Sequence, residues 1–142
     1  MAARHKSRER SLQILYQWDL LGNSIDASIA SYYDCLSSPE EERQPDEDPF
    51  MDQLVRGVAA RVEEIDASIA RHSEHWRIER MPAVDRNILR LAIFEMTAGI
   101  SPAAIAIDEA LQLAKRFSGE ESLPFINGVL DAVRKERENQ AA

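Results

Sequence analysis

Residues 84–96 read VDRNILRLAIFEM, and this stretch decides the fold class. Its apolar side chains fall on nearly every side of a helix, and a helix that is apolar all round is covered by other elements. No stretch of the chain alternates apolar and polar residues over the length of a strand, and five glycines are too few for a series of hairpins. The sequence therefore predicts an all-α bundle with 84–96 as its central helix.

Turn and capping signals divide the rest of the chain into further helices. Gly22-Asn23 stops the first helix, which begins at Ser7 or Arg8. Ser101-Pro102 predicts an N-cap followed by proline at the first helical position. The predicted helices span about 7–21, 24–36, 49–76, 84–98, 102–117 and 122 onward.

The domain organisation follows from the length and from one interruption of the helical pattern. A chain of 142 residues is long enough for one domain. Met81-Pro82 breaks the pattern, because proline removes a hydrogen-bond donor and clashes with the preceding turn. We expect a single domain over 1–142, with an N-terminal half of about 1–78 and a C-terminal half of about 82–138, each a three-helix bundle.

The net charge of −8 is unevenly distributed along the chain. Residues 1–18 carry a local net charge of +3, whereas residues 34–52 carry −7. The acidic segment 37–49 also contains three prolines, and this composition predicts a solvated loop. The acidity argues against a protein that binds any polyanion regardless of sequence, but it leaves room for a small nucleic-acid site near the N-terminus.

The sequence offers no catalytic constellation. The glycines do not form a phosphate-binding loop, and no GxSxG motif is present. Cys35 is followed by acidic sequence, which does not activate a thiol. His72 and His75 are three residues apart but lack the further ligands that a metal site needs, and His72 falls on the apolar side of its helix. We therefore expect a binding protein with no catalytic residue, no cofactor and no metal.

Three features bear on the compartment. No apolar run approaches the length of about 18 residues that a membrane span requires, and no apolar region follows the charged start as in a signal peptide. A single cysteine excludes an intramolecular disulfide. The sequence predicts a cytoplasmic protein that does not enter a membrane.

The basic N-terminal segment is the first candidate for nucleic-acid binding. It carries Arg4, Lys6, Arg8 and Arg10, and an exposed arm of this kind suits contacts with phosphates. Gln13 and Tyr16 follow on the first helix, and an amide and an aromatic ring can hydrogen-bond to and stack on an unpaired base. The alternative is a frayed terminus with solvated charges and Tyr16 in the core.

A second basic group surrounds the interruption at Met81-Pro82. Two interpretations remain open, a functional cation cluster in a loop or ion pairs with Glu74, Glu79 and Asp85 at helical spacing. Its members are Arg71, Arg77, Arg80, Arg86 and Arg90.

Five motifs in this order resemble those of the NusB family of bacterial transcription antitermination factors, over nearly the whole chain. Any one of them is weak evidence, but their order and spacing together are specific. They are Arg8-x3-Leu12-Gln13-x-Leu15-Tyr16-x-Trp18, Leu54-Val55-x-Gly57-Val58, Asp85-x3-Leu89-Arg90-x-Ala92-x-Phe94-Glu95, Ile107-x-Glu109-Ala110-x-Gln112-Leu113-Ala114-Lys115 and Phe125-Ile126-Asn127-Gly128-Val129-Leu130-Asp131.

The resemblance implies two three-helix bundles packed roughly perpendicular and a role without catalysis. It implies that the protein pairs with the ribosomal protein NusE, binds the boxA element of ribosomal RNA transcripts, and joins RNA polymerase so that it reads through terminators. By position, the implied RNA surface consists of Arg4, His5, Lys6, Arg8, Gln13, Tyr16, Asp85 and Phe125. The implied NusE surface consists of Glu109, Lys115, Arg116, Glu120 and Glu121.

The chain departs from the family pattern in two places. The segment 37–49 is longer and more acidic than the link that usually joins the second and third helices in the family. Two hypotheses follow: the segment competes with RNA for the basic N-terminal segment, or it is a solvated insertion. The basic segment is broken by Glu9, which predicts weak RNA binding without NusE.

Other readings also remain open. One is a module akin to the N-terminal domain of ribosomal RNA cytosine methyltransferases. Another is a protein-interaction bundle that does not bind RNA. The resemblance does not decide whether the protein is a monomer or a homodimer.

Overall fold

The structure, a computed structural model, describes residues 2–36, 47–73 and 77–141. These residues form seven α-helices and two short 3-10 helices, Ile78–Arg80 and Glu120–Ser122, with no strand among them, so the prediction of an all-α fold is confirmed. The helices are α1 Ala2–Leu21, α2 Ile25–Leu36, α3 Pro49–Ala60, α4 Val62–His72, α5 Ala83–Thr97, α6 Ala103–Phe117 and α7 Leu123–Ala141. Most of the acidic segment 37–49, and His75 with its neighbours, lie outside the described residues.

Helix α5 is the centre of the fold. It contacts α1, α3, α4, α6 and α7, and every residue from Asn87 to Met96 is buried. Three of these buried residues are polar or charged, namely Asn87, Arg90 and Glu95. A buried charge is costly unless it is paired, and a buried amide is costly unless it is hydrogen-bonded, so these three residues determine which side chains the surrounding helices must present to α5.

Helix α1 begins five residues earlier than predicted, at Ala2 rather than at Ser7. The expectation of an arm is therefore wrong, since residues 4–8 belong to the helix. Two tertiary contacts explain the extension. Ser7 donates hydrogen bonds to Asp48 before α3, and the guanidinium of Arg4 lies 4.6 Å from the ring centroid of Phe50.

The predicted long helix over 49–76 is two helices, because the backbone leaves the helical conformation at Arg61 with φ −117° and ψ 18°. The apolar positions keep their spacing of three to four residues across this break, as Val58 and Ile65 are both buried. A break of a single residue does not disturb the periodicity, so the pattern could not reveal it.

The expected cap of α6 is also wrong. Pro102 occupies the N-cap position, and no side chain caps the helix there. Ser101 instead donates a hydrogen bond of 3.1 Å to the buried carboxylate of Glu95. The cap signals at the start of the chain hold, because Ser24 Oγ accepts from the Ala27 N–H at 3.1 Å and Gly22 has the positive φ of 69° that favours glycine at a helix end.

None of the helices in the described ranges combines the length and the apolar content needed to cross a bilayer.

Candidate nucleic-acid interface

One face of α1 forms the wall of a surface groove of about 480 Å³. Lys6, Arg10, Gln13 and Tyr16 recur every three or four residues and therefore lie on one side of the helix. The other walls come from α2, the start of α5 and the end of α6, and the additional lining residues are Glu9, Leu12, Tyr32, Val84, Arg116 and Phe117. Lys6, Gln13 and Tyr16 of the predicted RNA surface are thus brought together here.

The groove is basic and aromatic although the chain as a whole is acidic. Lys6, Arg10 and Arg116 line the groove with one carboxylate, that of Glu9, and Arg10 also pairs with Asp48 outside the lining at 3.0 Å. Tyr16 and Phe117 expose 39% and 43% of their surface. Cations together with accessible ring faces are the combination that binds the backbone and the bases of single-stranded nucleic acid.

Glu9 is itself held by cations from two helices. Its carboxylate lies 3.0 Å from His5 Nε2 and 3.8 Å from Lys6 Nζ, and it also pairs with the guanidinium of Arg116 from α6. A carboxylate that is surrounded in this way repels an approaching phosphate less than a free one, so the cations dominate the potential of the groove.

Arg8 does not belong to this groove. Its side chain is 3% exposed and pairs with Glu95 at 2.8 Å. The expectation of an exposed cation at this position is therefore wrong, because the guanidinium turns inward to neutralise a carboxylate on the central helix.

Arg4 and His5 also lie apart from the groove lining. Arg4 is exposed and stacks on Phe50, on the side of α1 that faces α3. His5 is half-buried, and its Nδ1 lies 2.8 Å from Glu109 of α6. Contacts of these two residues with RNA stay predictions.

Asp85 stands beside the groove with its carboxylate already engaged. It is 4% exposed and accepts hydrogen bonds from Ser118 at 2.5 Å and Ser122 at 3.1 Å. Its neighbour Val84 lines the groove, whereas half-buried Phe125 packs against the hydrophobic core. The structure therefore does not present Asp85 as an open carboxylate, and the RNA contacts of both predicted residues stay predictions.

The comparisons with known proteins agree with the motifs. The model of the NusB family matches residues 5–135. The chain belongs to the NusB family. It is 57% identical over 96% of its length to the transcription antitermination protein NusB of Solibacter usitatus, of which it covers 91%. It is 42% identical over 94% of its length to the protein of the same name of Myxococcus xanthus, of which it covers 95%.

The fold of this NusB family member also agrees with solved structures. A crystal structure described as antitermination factors NusB and NusE in complex with dsRNA matches with a TM-score of 0.79 and 29% identity, covering 96% of this chain and 98% of that one.

The second basic group of this NusB family member is largely structural. Arg86 and Arg90 lie 2.6 and 3.2 Å from Asp19 of α1, and Arg90 also lies 2.7 Å from Asp66 of α4. Burial alone would lower the pKa of Arg90, but the hydrogen bond and charge of Asp66, with Asp19, raise it. The ion-pair interpretation is correct for these two arginines, although their partners are tertiary and not those expected at helical spacing.

The rest of that group divides between an ion pair and exposed positions. Arg71 lies 2.9 Å from Glu136 of α7, so it too is paired with a residue distant in the sequence. Arg77 and Arg80 are exposed, and within the described ranges no ion pair involves them. Only these two remain as candidates for the functional interpretation of the group.

The implied NusE surface is partly occupied by internal contacts. Glu109 lies 2.8 Å from His5 and 3.7 Å from Arg8, with only 15% of its side chain exposed. Lys115, Glu120 and Glu121 are exposed near the C-terminal end of α6, whereas Arg116 lines the groove. The docking of NusE on these residues stays a prediction.

His72 has a carboxylate partner in place of further histidines. Its Nε2 lies 2.5 Å from Glu136 of α7. The hydrogen bond from His72, with Arg71 beside it, keeps the pKa of Glu136 low although burial opposes it. The described part of the chain contains no group of three or more side chains that could hold a metal.

Sequence reasoning missed Phe117 as a surface residue. Its spacing from Ile107, Leu111 and Ala114 predicts a place on the apolar side of α6, yet the ring lines the groove. The available signal was its position in the last turn of the helix, where the apolar stripe extends beyond the elements that cover it.

Proposed function

We propose that this chain is a transcription antitermination factor that binds boxA RNA of ribosomal RNA transcripts together with NusE and promotes read-through by RNA polymerase. The role is binding without catalysis, in the cytoplasm. The observation that carries the proposal is the groove in which Lys6, Gln13 and Tyr16 lie together. Family membership and the name shared by the curated relatives support it.

The groove supports RNA binding through complementary chemistry. Lys6 and Arg10 supply charge for phosphates, while the Tyr16 ring offers a stacking face and the Gln13 amide can pair with a base edge. Aromatic stacking tolerates different bases, whereas an amide distinguishes donors from acceptors.

A partner explains how an acidic chain binds RNA. With a net charge of −8, the protein repels RNA at long range and attracts it only near the groove. A second protein that adds phosphate contacts would raise the affinity of the pair above that of either component. The solved relative whose title names NusB, NusE and dsRNA supports this assignment of the partner. Membership of an RNA polymerase complex belongs to the same proposal.

The RNA surface that we propose is smaller than the one implied by the resemblance. Lys6, Gln13 and Tyr16 form its centre, and Arg8 is left out because it is buried. Arg4, His5, Asp85 and Phe125 remain predicted contacts outside the groove. Lys115, Glu120 and Glu121 remain the predicted exposed part of the NusE surface.

The test is a mobility-shift titration of boxA RNA with and without NusE. Tyr16→Ala should weaken RNA binding by the complex between about 5-fold and 150-fold, the loss of one stacked base. Leu20→Ala is the matched control, because Leu20 is a 56% exposed apolar residue of the same helix outside the groove lining. Equal binding by both variants would show that the surface is misplaced, and no binding by the wild-type complex would overturn the function.

Light scattering on the same samples addresses the oligomeric state. If the free protein is a homodimer that dissociates when RNA and NusE are added, the dimer covers the RNA surface and explains weak binding by the free protein. A complex of constant stoichiometry argues against that arrangement.

A further inference from the structure

The end of α6 contributes an accessible aromatic ring to the groove. Phe117 is the last residue of α6 and exposes 43% of its surface, so its ring is open to a ligand. Tyr16 lines the same groove from α1. Two helices that are distant in the sequence therefore each present one accessible ring to one cavity.

Arg116 places a cation beside this ring. Its guanidinium carbon lies 5.1 Å from the centroid of the Phe117 ring, within the range of a cation–π contact. It also pairs with Glu9, but 59% of its side chain remains exposed. A guanidinium has five N–H donors, so donors remain for a phosphate.

The groove has room for an organic ligand. Its volume of about 480 Å³ is within the range of about 300–1,000 Å³ that is typical of small-molecule pockets. Its lining combines two accessible rings with three cations against one carboxylate. A ligand with a flat aromatic part and a negative charge matches this lining, and an unpaired nucleotide of an RNA has both.

We propose that the end of α6 is the second wall of the RNA site, where an unpaired base stacks on Phe117 and Arg116 contacts an adjoining phosphate. The inference rests on the proposed function and extends it to two residues that lie about 100 positions after the basic segment of α1. It moves Arg116 from the predicted NusE surface to the RNA surface.

Charge complementarity favours RNA over a protein segment as the occupant. An apolar protein segment would displace water from three cations that share two carboxylates, those of Glu9 and Asp48, and a cation without full compensation is costly there. Phosphates supply the missing negative charge. An acidic protein segment that binds the same groove is an outcome that the experiment separates.

The test of Phe117 uses labelled single-stranded boxA RNA, NusE and the full chain. Phe117→Ala should weaken RNA binding by the complex between about 5-fold and 150-fold, and Phe117→Trp should retain it because indole also stacks. Ile105→Ala is the matched control, since Ile105 is a 50% exposed apolar residue of α6 outside the groove lining. Phe117→Leu keeps an apolar side chain without a π face and should lose affinity as Phe117→Ala does.

The test of Arg116 measures how RNA affinity depends on salt. Arg116→Gln should reduce the slope of log K against log salt by about 0.7, the contribution of one phosphate contact in a single strand. Lys135→Gln removes the same charge from a 66% exposed residue of α7 outside the groove lining and should leave the slope unchanged. NusE binding, measured without RNA, should be the same for both variants and the wild type.

Each contrary result has a separate meaning. If Tyr16→Ala weakens RNA binding but Phe117→Ala does not, the inference is wrong and the proposed function stands. If Phe117→Ala weakens binding of a duplex of the same sequence as much as that of the single strand, no unpaired base stacks on the ring. Loss of NusE binding with unchanged RNA binding assigns the end of α6 to a protein partner. No RNA binding by the wild-type complex overturns the proposed function itself.

Discussion

The guanidinium of Arg8 in α1 lies 2.8 Å from a carboxylate oxygen of Glu95 in α5, and both side chains are almost completely buried. Arg8 Nε adds hydrogen bonds of 3.0 and 3.1 Å to the two oxygens, and Ser101 donates another to Glu95. This pair attaches the second turn of α1 to the last turn of the central helix. Together with the contacts of Ser7 and Arg4, it explains why a segment with the composition of a basic arm is a packed helix.

Breaking this pair should strongly destabilise the fold. We expect Arg8→Ala to lower the free energy of unfolding by about 3–5 kcal/mol, because it leaves Glu95 buried and charged without a partner. Urea denaturation measures the change. Lys6→Ala removes a 63% exposed cation from the same helix and should change the free energy by less than about 0.5 kcal/mol.

A double variant separates the charge from the packing. Arg8→Met with Glu95→Leu should recover most of the loss, since well-packed apolar residues often replace a buried ion pair without a net cost. A loss below about 1 kcal/mol for Arg8→Ala would contradict the assignment of a buried pair.

Asp19 should make stability depend on pH in the acid range. Burial raises the pKa of Asp19, but the hydrogen bond from Arg86 and the charge of Arg90 outweigh it and hold the pKa below its ordinary value of 3.8. The unfolded chain therefore takes up the proton first, so this stabilisation is complete above about pH 4 and is lost as the pH falls through the lower pKa of the folded state.

The variant Asp19→Asn tests this dependence. Urea unfolding of the wild type and the variant between pH 7 and pH 3 should show a large difference in stability at neutral pH that narrows below about pH 4. Asp26→Asn is the control, because Asp26 is 76% exposed in its pair with Arg56 and should give a small difference at every pH. A difference for Asp19→Asn that stays constant down to pH 3 would contradict the lowered pKa.

Asp48 should be the residue that fixes the start of α3. It accepts hydrogen bonds from the Met51 N–H at 3.0 Å, from Ser7 at 2.8 Å and from Arg10 at 3.0 Å. We expect Asp48→Ala to cost about 2 kcal/mol in the free energy of unfolding, the upper end for loss of a helix cap, because Ser7 also loses its partner. Thermal and urea denaturation both measure this.

Asp52, one turn after Asp48, is the comparison for this prediction because its carboxylate has fewer hydrogen bonds. Its buried Oδ1 has no hydrogen-bond partner among the described residues, and burial raises the pKa of Asp52. Asp52→Ala should therefore cost less than Asp48→Ala. If the two variants are equally destabilised, the network at Asp48 does not carry the stability we assign to it.

Two glycine-to-alanine substitutions should have opposite signs. A Cβ at Gly57 of α3 would overlap the ring of Phe94 in α5, so Gly57→Ala should destabilise the protein by about 1–3 kcal/mol. A Cβ at Gly128 of α7 would meet nothing within 4 Å, so Gly128→Ala should stabilise it by about 0.5–1 kcal/mol through the helix propensity of alanine. A melting temperature that Gly57→Ala does not lower would contradict the close approach of α3 and α5, and one that Gly128→Ala lowers would contradict the open space at α7.

Much of the fold could be predicted because its signals are local. The stretch 84–96 predicted the buried central helix, and Gly22 predicted the end of α1. The errors occurred where a distant residue changes a local preference. Ser101 has the properties of an N-cap residue but donates its hydrogen bond to Glu95. Arg61 ends α3, although the apolar periodicity continues on both sides of it.

The candidate site was predictable only on one helix. Gln13 and Tyr16 share a face of α1, and helical spacing is enough to show that. Lys6 joins them because α1 begins at Ala2, before the predicted start. Nothing in the sequence places Phe117 and Arg116 opposite them, because the two segments are about 100 residues apart and meet only when α6 packs on α5.

The sequence by itself determined the all-α class, most helix ends and the family, because periodicity, capping residues and motif spacing are properties of neighbouring positions. The tertiary structure decided which of the N-terminal cations are available for RNA. Arg8 and Lys6 are two residues apart, yet Arg8 is buried against Glu95 and Lys6 lines the groove. A difference of two residues turns a side chain by about 200° around a helix, and only the position of α5 determines which of those two directions is the interior.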